Sequence, residues 1–266
     1  MDKNARPPGE RGTKAGHARK KRPLVVAHRG SPLEYLENTK ESFQRAMNLQ
    51  VDMIELDIQE IATGEVVVFH DEDLQRLAHS PRQIRDLTLD ELNGIEIQSF
   101  KNRRFLKGKI PLFSDVLEML DHRTDLDVEI KGLDIRKTNL VVQAVHLVET
   151  LNLENRILFS SFNFMALFYV HRMNRLIRTG FLTDYPDFYF AVEAFIPKRY
   201  RPDALIFYSK RTDERLIRRA LRDYTVMVFT VDDPDEMRKF AAWGVDGIIT
   251  NRPGFLKSLL DERQGF

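Results

Sequence analysis

From residue 23 onward, short apolar runs alternate with amphipathic segments. Runs such as 24–27, 52–58 and 126–130 have the length and the β-branched content of buried strands. Segments such as 135–151 and 234–243 place apolar residues at helical spacing. Because strand and helix alternate along almost the whole chain, the pattern is typical of a parallel sheet covered by helices. We predict an α/β fold, a closed TIM (β/α)8 barrel, with a doubly wound open sheet as the second choice.

One segment departs from the alternation. Residues 71–111 contain clusters of Gln, Arg, Lys and Asn and no convincing strand. We interpret 71–111 as a small insertion after the second strand region, at one end of the barrel. Residues 23–266 are then one domain. The remaining strands are predicted at 65–69, 157–159, 176–181, 204–207, 225–230 and 247–249, and the remaining helices at 38–49, 112–120, 162–173, 188–195, 214–221 and 253–260.

Ionisable residues interrupt two of the apolar strands at alternate positions. Glu55 and Asp57 share one face of their strand, and Glu129 and Lys131 share one face of another. Helices cover the outside of a barrel, so we expect these side chains to point inward. Buried charges are costly unless they pair or bind an ion. Three carboxylates form an oxygen site suited to Mg²⁺ or Ca²⁺, and the alternative is a buried ion-pair network with Lys131 as the counter-charge.

Two histidines follow predicted strands directly. His28 ends the first strand and precedes Arg29, and His70 ends the strand at 65–69. Barrel enzymes place their active sites at the carboxyl ends of the strands. A single histidine there is commonly structural, but two beside three carboxylates, an arginine and a lysine indicate catalysis.

Composition and charge exclude several classes of protein. The chain has 266 residues and no cysteine, which excludes disulfides, a thiolate nucleophile and zinc–sulfur sites. The net charge is +1, but residues 1–22 are strongly basic and the rest is slightly acidic. We predict a disordered basic leader at 1–22, with weak contact to an anionic surface as its possible role, and a body that does not bind nucleic acid.

Hydropathy gives no sign of a membrane protein. The longest uncharged stretch, 157–170, is shorter than the ~20 residues of a membrane span. The apolar run before His28 is too short for a signal peptide. These features predict a cytoplasmic protein without stable membrane insertion, and they leave the oligomeric state open.

Short motifs in a fixed order make the polar pattern specific: His28-Arg29-Gly30, Glu37-Asn38-Thr39, Glu55-Leu56-Asp57, His70-Asp71, Val128-Glu129-Ile130-Lys131, Ser160-Ser161-Phe162, and the segments 229–232 and 244–253. In order and spacing they resemble the glycerophosphodiester phosphodiesterase family. The resemblance covers about residues 23–262 and implies a TIM barrel.

The resemblance implies metal-dependent hydrolysis of a small-molecule glycerophosphodiester to an alcohol and sn-glycerol 3-phosphate. It also implies that His28 and His70 are general acid and base, and that Glu55, Asp57 and Glu129 bind Mg²⁺ or Ca²⁺. By the same resemblance, Arg29 and Lys131 contact phosphate. Phe229 is a candidate substrate-binding residue.

Several positions differ from the family's usual residues, which leaves the alcohol specificity open. Phe229 replaces a usual tryptophan, Asp232 a usual asparagine and Asn251 a usual aspartate. The alternatives are a sphingomyelinase D-like or lysophospholipase D-like phosphodiesterase, a barrel that binds a phosphodiester without catalysis, and a nucleic-acid or membrane adaptor acting through the leader.

Overall fold

The computed structural model describes residues 22–101, 103–132, 139–185 and 187–262. Within them the strands are β1 (Leu24–His28), β2 (Met53–Glu60), β3 (Val66–Val68), β4 (Ile97–Lys101), β5 (Arg104–Gly108), β6 (Asp125–Ile130), β7 (Ile157–Ser161), β8 (Arg178–Thr183), β9 (Ala204–Tyr208), β10 (Thr225–Phe229) and β11 (Gly247–Thr250). The α-helices are α1 (Lys40–Asn48), α2 (Gln75–Ala78), α3 (Leu89–Asn93), α4 (Phe113–Glu118), α5 (Asn139–Thr150), α6 (Phe164–Met173), α7 (Asp187–Phe195), α8 (Glu214–Ala220), α9 (Pro234–Trp243) and α10 (Pro253–Asp261), and short 3₁₀ turns lie at Ile84–Asp86, Lys198–Tyr200 and Ser209–Arg211.

Eight parallel strands close into a barrel. Their order around the barrel is β1-β11-β10-β9-β8-β7-β6-β2, and β2 pairs with β1 to complete the circle. The prediction of a closed TIM barrel is therefore confirmed, and the second choice, a doubly wound open sheet, is wrong. The predicted barrel strands agree with the observed ones to within two residues, while positions 135–138 of one predicted helix lie outside the described residues.

The alternation along β2 separates the core from the site. Ile54, Leu56 and Ile58 are at most 1% exposed and pack in the layer between the barrel and its helices. Glu55 and Asp57 point into the barrel, as the period of two requires. Below them the barrel interior is filled by apolar side chains from β2 itself and from other strands, namely Val26, Met53, Leu158, Leu182, Ala204, Ile206, Met227 and Ile249.

The insertion is where the structure differs most from the sequence-based prediction. The expectation that 71–111 contains no strand was wrong, because β4 and β5 form an antiparallel hairpin there. Strand β3 is also not a barrel strand: it turns back and pairs antiparallel with the end of β2. The hairpin was missed because its exposed side carries phenylalanine and its sequence is rich in basic residues, so the usual apolar-in, polar-out pattern is obscured.

At the N-terminus, the described chain begins at Arg22, whose guanidinium pairs with Asp52 at 2.6 Å. The predicted leader otherwise lies outside the described residues. None of the helices in the described segments has both the length and the apolar character needed to cross a membrane. The predicted cytoplasmic location stays a prediction.

Candidate active site at the carboxyl end of the barrel

The first part of the site is the turn that leaves β1. Arg29 and Gly30 both adopt left-handed backbone angles, with φ of 53° and 89°. The Arg29 amide donates to the Glu55 backbone carbonyl at 2.9 Å and to Glu55 Oε2 at 3.0 Å. A Cβ on Gly30 would lie 2.7 Å from the backbone carbonyl carbon of Ser42, so only glycine fits. The turn therefore brings His28, Arg29 and Glu55 together.

Three carboxylates converge beside this turn. Asp57 and Glu129 are register partners on neighbouring strands, and Glu55 lies two residues before Asp57. One oxygen of each of the three lies within 4.8 Å of the others. Glu55 and Asp57 are buried, with 5% and 0% exposure. The three carboxylates are therefore close enough to share one cation, and they repel each other without one.

The surroundings of the three carboxyl groups shift their pKa values in different directions. Burial opposes ionisation of Asp57, but Lys131 and Arg29 outweigh it and hold the pKa of Asp57 well below its usual range. Burial and the neighbouring Asp57 raise the pKa of Glu55 well above its usual range. The same two causes raise the pKa of Glu129 to about 7. Asp57 is thus the anionic centre of the group.

Two cations lie against Asp57, one at each of its carboxylate oxygens. Lys131 Nζ is 3.0 Å from Asp57 Oδ1 and 2.8 Å from Glu129 Oε1. Arg29 Nε is 3.2 Å from Asp57 Oδ2, while its terminal NH1 donates to Glu37 Oε1 at 2.8 Å. Glu55 has no lysine or arginine within 4.0 Å among the described side chains. The predicted ion-pair network is therefore present, but it leaves Glu55 without a cationic partner.

His28 is held by a neutral amide. Its Nδ1 lies 2.8 Å from Asn251 Oδ1, and the Asn251 amide nitrogen donates to Asp232 Oδ2 at 2.7 Å. A carboxylate only accepts, so Asp232 fixes which end of the amide faces His28. His28 Nδ1 must then carry the proton, and Nε2 points towards Glu55 Oε2, 3.8 Å away. Burial, followed by Arg29, lowers the pKa of His28 to about 4.

His70 reaches the site by a route that the sequence did not predict. It was expected to end a barrel strand, but it follows β3, which runs back along β2 to the level of Asp57. The Phe69 amide donates to the Asp57 carbonyl at 3.0 Å. His70 Nδ1 lies 2.7 Å from Asp71 Oδ1. Burial lowers the pKa of His70, and Asp57 opposes that shift.

A chain of ion pairs ties His70 to the turn after β1. Arg76 Nε contacts Asp71 Oδ2 at 2.7 Å, and Arg76 NH2 contacts Glu37 Oε1 at 2.7 Å. Glu37 also binds Arg29. Arg76 belongs to α2 of the insertion, so the insertion helps to position both sides of the site. Sequence reasoning gave no role to Glu37, Asp71 or Arg76, although two of them lie in the quoted motifs.

An aromatic cluster lines one edge of the mouth. The Phe229 ring lies 6.0 Å from the Phe162 ring and 5.8 Å from the Tyr208 ring, centre to centre. Next to it, a cavity of about 1370 Å³ is lined by residues that include His70, Glu129, Lys131 and Phe162. All eight predicted site residues lie at this end of the barrel, and Phe229 lies at its rim.

A barrel with two histidines, three carboxylates and two cations at this mouth has the composition of an enzyme acting on an anionic substrate. Residues 28–255 match the model of the glycerophosphoryl diester phosphodiesterase family. The chain belongs to this family. The predicted family is therefore confirmed, and so is the prediction that the protein is a phosphodiesterase enzyme.

Individual relatives agree with this assignment. A glycerophosphodiester phosphodiesterase of Caldanaerobacter subterraneus is 30% identical over 240 residues, which cover 89% of this chain and 97% of the relative. A phosphodiesterase of Oleispira antarctica, solved in complex with the product sn-glycerol-3-phosphate, superposes with a TM-score of 0.79 at 24% identity, over 90% of this chain and 97% of that one. The glycerophosphodiester phosphodiesterase of Thermotoga maritima superposes with a TM-score of 0.70 at 26% identity, over 89% of this chain and 98% of that one.

Proposed function

We propose that this protein hydrolyses a glycerophosphodiester to an alcohol and sn-glycerol 3-phosphate, with a divalent cation held by Glu55, Asp57 and Glu129 and with His28 and His70 as the acid–base pair. The observation that carries the proposal is the convergence of two histidines and three carboxylates, two of them buried, at the barrel mouth. The product bound by the Oleispira relative supports the glycerol phosphate half of the substrate.

The donor set fits Mg²⁺ or Ca²⁺. Both cations prefer carboxylate oxygens, and three are available within 4.8 Å of one another. Glu55 and Glu129 have raised pKa values because burial and Asp57 oppose their ionisation. A cation among them would relieve that repulsion, which Lys131 and Arg29 only partly offset. A bound divalent cation supplies positive charge that stabilises the phosphoryl oxygens as the nucleophile adds to phosphorus.

Arg29 and Lys131 bind the phosphate in this proposal. The Arg29 guanidinium is planar and held on two edges by Asp57 and Glu37, so its orientation is fixed before substrate arrives. Lys131 contributes a point charge from the wall of the cavity. The rings of Phe229, Phe162 and Tyr208 provide an apolar edge for the carbon face of the glycerol or of the alcohol.

The two histidines divide the proton transfers. Each has its Nδ1 bound to a fixed acceptor, Asn251 for His28 and Asp71 for His70. Nε2 of each ring is therefore left for the substrate. One histidine takes a proton from the nucleophile and the other gives one to the departing alcohol, and each role typically contributes ~10²–10⁴ in rate. Burial lowers both pKa values, which favours the neutral ring for the histidine that accepts the proton. The histidine that acts as the acid must carry a proton on Nε2 when the alcohol departs.

Release of sn-glycerol 3-phosphate from glycerophosphocholine tests the proposal, with Mg²⁺, with Ca²⁺ and with a chelator. We expect release that depends on the cation. Choline release from sphingomyelin or from lysophosphatidylcholine, without release from glycerophosphocholine, would instead favour the sphingomyelinase D-like or lysophospholipase D-like alternative. No release from folded protein with any substrate or metal would favour a barrel that only binds.

A further inference from the structure

The β4–β5 hairpin presents apolar side chains to solvent. Phe100 and Phe105 lie directly opposite each other in its antiparallel register, and they are 71% and 58% exposed. On the other side of the hairpin, Ile97 and Leu106 are buried, with 1% and 8% exposure. Adjacent exposed aromatic rings of this kind are unfavourable in water and mark contact surfaces.

The same hairpin concentrates positive charge. Residues 96–109 contain five basic residues and one acidic residue, whereas the whole chain has a net charge of only +1. Arg103 and Arg104 are exposed at the tip. Lys107 pairs with Glu96 at 2.7 Å and also lies 5.9 Å from the Phe105 ring. Aromatic rings surrounded by basic side chains are complementary to an anionic lipid surface, which offers both apolar and negatively charged groups.

The hairpin is attached to the mouth of the barrel. Lys101, which follows Phe100, places Nζ 3.4 Å from Glu37 Oε2 in the turn after β1. At the other end of the hairpin, a Cβ on Gly108 would lie 2.8 Å from Thr39 Cγ2, so the Gly108 backbone packs closely against the Thr39 side chain. A surface that binds Phe100 and Phe105 would therefore lie next to the entrance of the site.

We propose that the outer face of this hairpin, formed by Gln98, Phe100, Phe105 and Lys107, docks the barrel mouth on an anionic lipid surface. The phenylalanine rings enter the headgroup boundary, and Arg103 and Arg104 at the tip bind lipid phosphates. A second copy of the chain is disfavoured because two such basic faces repel each other. A stable protein partner would need about 800 Å² of contact on each side, more than a face of four residues provides.

Binding to vesicles tests the docking without any turnover. We expect the full-length protein to pellet with phosphatidylcholine vesicles that contain phosphatidylglycerol, and much less with phosphatidylcholine alone. The double variant Phe100→Ser/Phe105→Ser should bind the anionic vesicles at least ~10-fold more weakly, equivalent to ~1.4 kcal/mol. The matched control is Phe195→Ser, which removes an 81%-exposed phenylalanine from α7 and should bind as the unchanged protein does.

Three outcomes would overturn the docking. The first is binding of the double variant within twofold of the unchanged protein, as expected if residues 1–22 alone attach it, since all variants keep that segment. The second is equal binding to neutral and anionic vesicles. The third is a lipid-free dimer in sedimentation that the double variant abolishes, which would assign the face to a second copy.

A kinetic comparison adds a second readout, and this arm rests on the proposed function. The double variant should turn over lysophosphatidylglycerol embedded in vesicles at least ~10-fold more slowly, while its turnover of soluble glycerophosphocholine stays unchanged. Equal loss on both substrates would mean that the hairpin supports the site rather than docking it. If the unchanged protein hydrolyses neither substrate, the proposed function fails while the vesicle experiment still decides the docking.

Discussion

Asp127 is a buried carboxylate whose removal should stabilise the protein at high pH. It lies in the barrel interior on β6, two residues before Glu129, and is 0% exposed. Neither of its carboxylate oxygens has a hydrogen-bond partner among the described residues. Burial raises its pKa from 3.8 to about 7; Ser160 and Arg178 offset part of that shift, and Asp57 adds to it. The perturbation is Asp127→Asn, which keeps the shape and removes the charge.

The direction in which stability changes with pH follows from how many protons the folded and unfolded states bind. Between the unfolded pKa of 3.8 and the folded pKa of about 7, the folded state holds a proton that the unfolded state releases. The free energy of unfolding therefore falls as the pH rises through this window. For a single group with these pKa values, the loss between pH 5.5 and pH 8 is ~2 kcal/mol. Asp127→Asn lacks this loss, so its stability relative to the unchanged protein should rise by ~2 kcal/mol over that range.

Urea unfolding followed by circular dichroism, with chelator at pH 5.5 and pH 8, measures this difference. Comparing the two pH values cancels any fixed packing effect of the new amide. The matched control is Asp125→Asn on the same strand, whose carboxylate lies 3.6 Å from Arg156 and 3.4 Å from Arg178. Removing those ion pairs should lower stability at both pH values. A constant difference between Asp127→Asn and the unchanged protein would refute the reasoning, because it would mean that Asp127 is ionised throughout.

Three further predictions concern the proposed mechanism. His28→Ala and His70→Ala should each lower turnover at least ~10²-fold with an unchanged circular dichroism spectrum; near-normal activity would remove that histidine from the mechanism. Glu55→Gln should raise the metal concentration that gives half-maximal activity, and an unchanged titration would contradict its role as a ligand. Asn251→Leu should lower kcat about 10-fold with little change in KM, because His28 loses the acceptor that orients it; an effect confined to KM would point to substrate binding instead.

The sequence by itself determined the barrel and most of the site. Strand–helix alternation predicts a parallel sheet from local patterns alone, and a period of two places Glu55 and Asp57 on the face opposite Ile54 and Leu56. The same rule applied to β6 would have placed Asp127 beside Glu129 in the interior. These inferences need no long-range information, since the face of a strand depends only on its own alternation.

Tertiary structure decided what depends on distant parts of the chain. His70 reaches Asp57 only because β3 turns back along β2, and the pairing direction of a strand is not encoded in its hydrophobic pattern. Asn251 orients His28 from 223 residues away, through the closure of β11 against β1. The exposed Phe100–Phe105 pair depends on which side of the hairpin packs against the insertion. Each of these outcomes is set by contacts between segments, which a single sequence leaves undetermined.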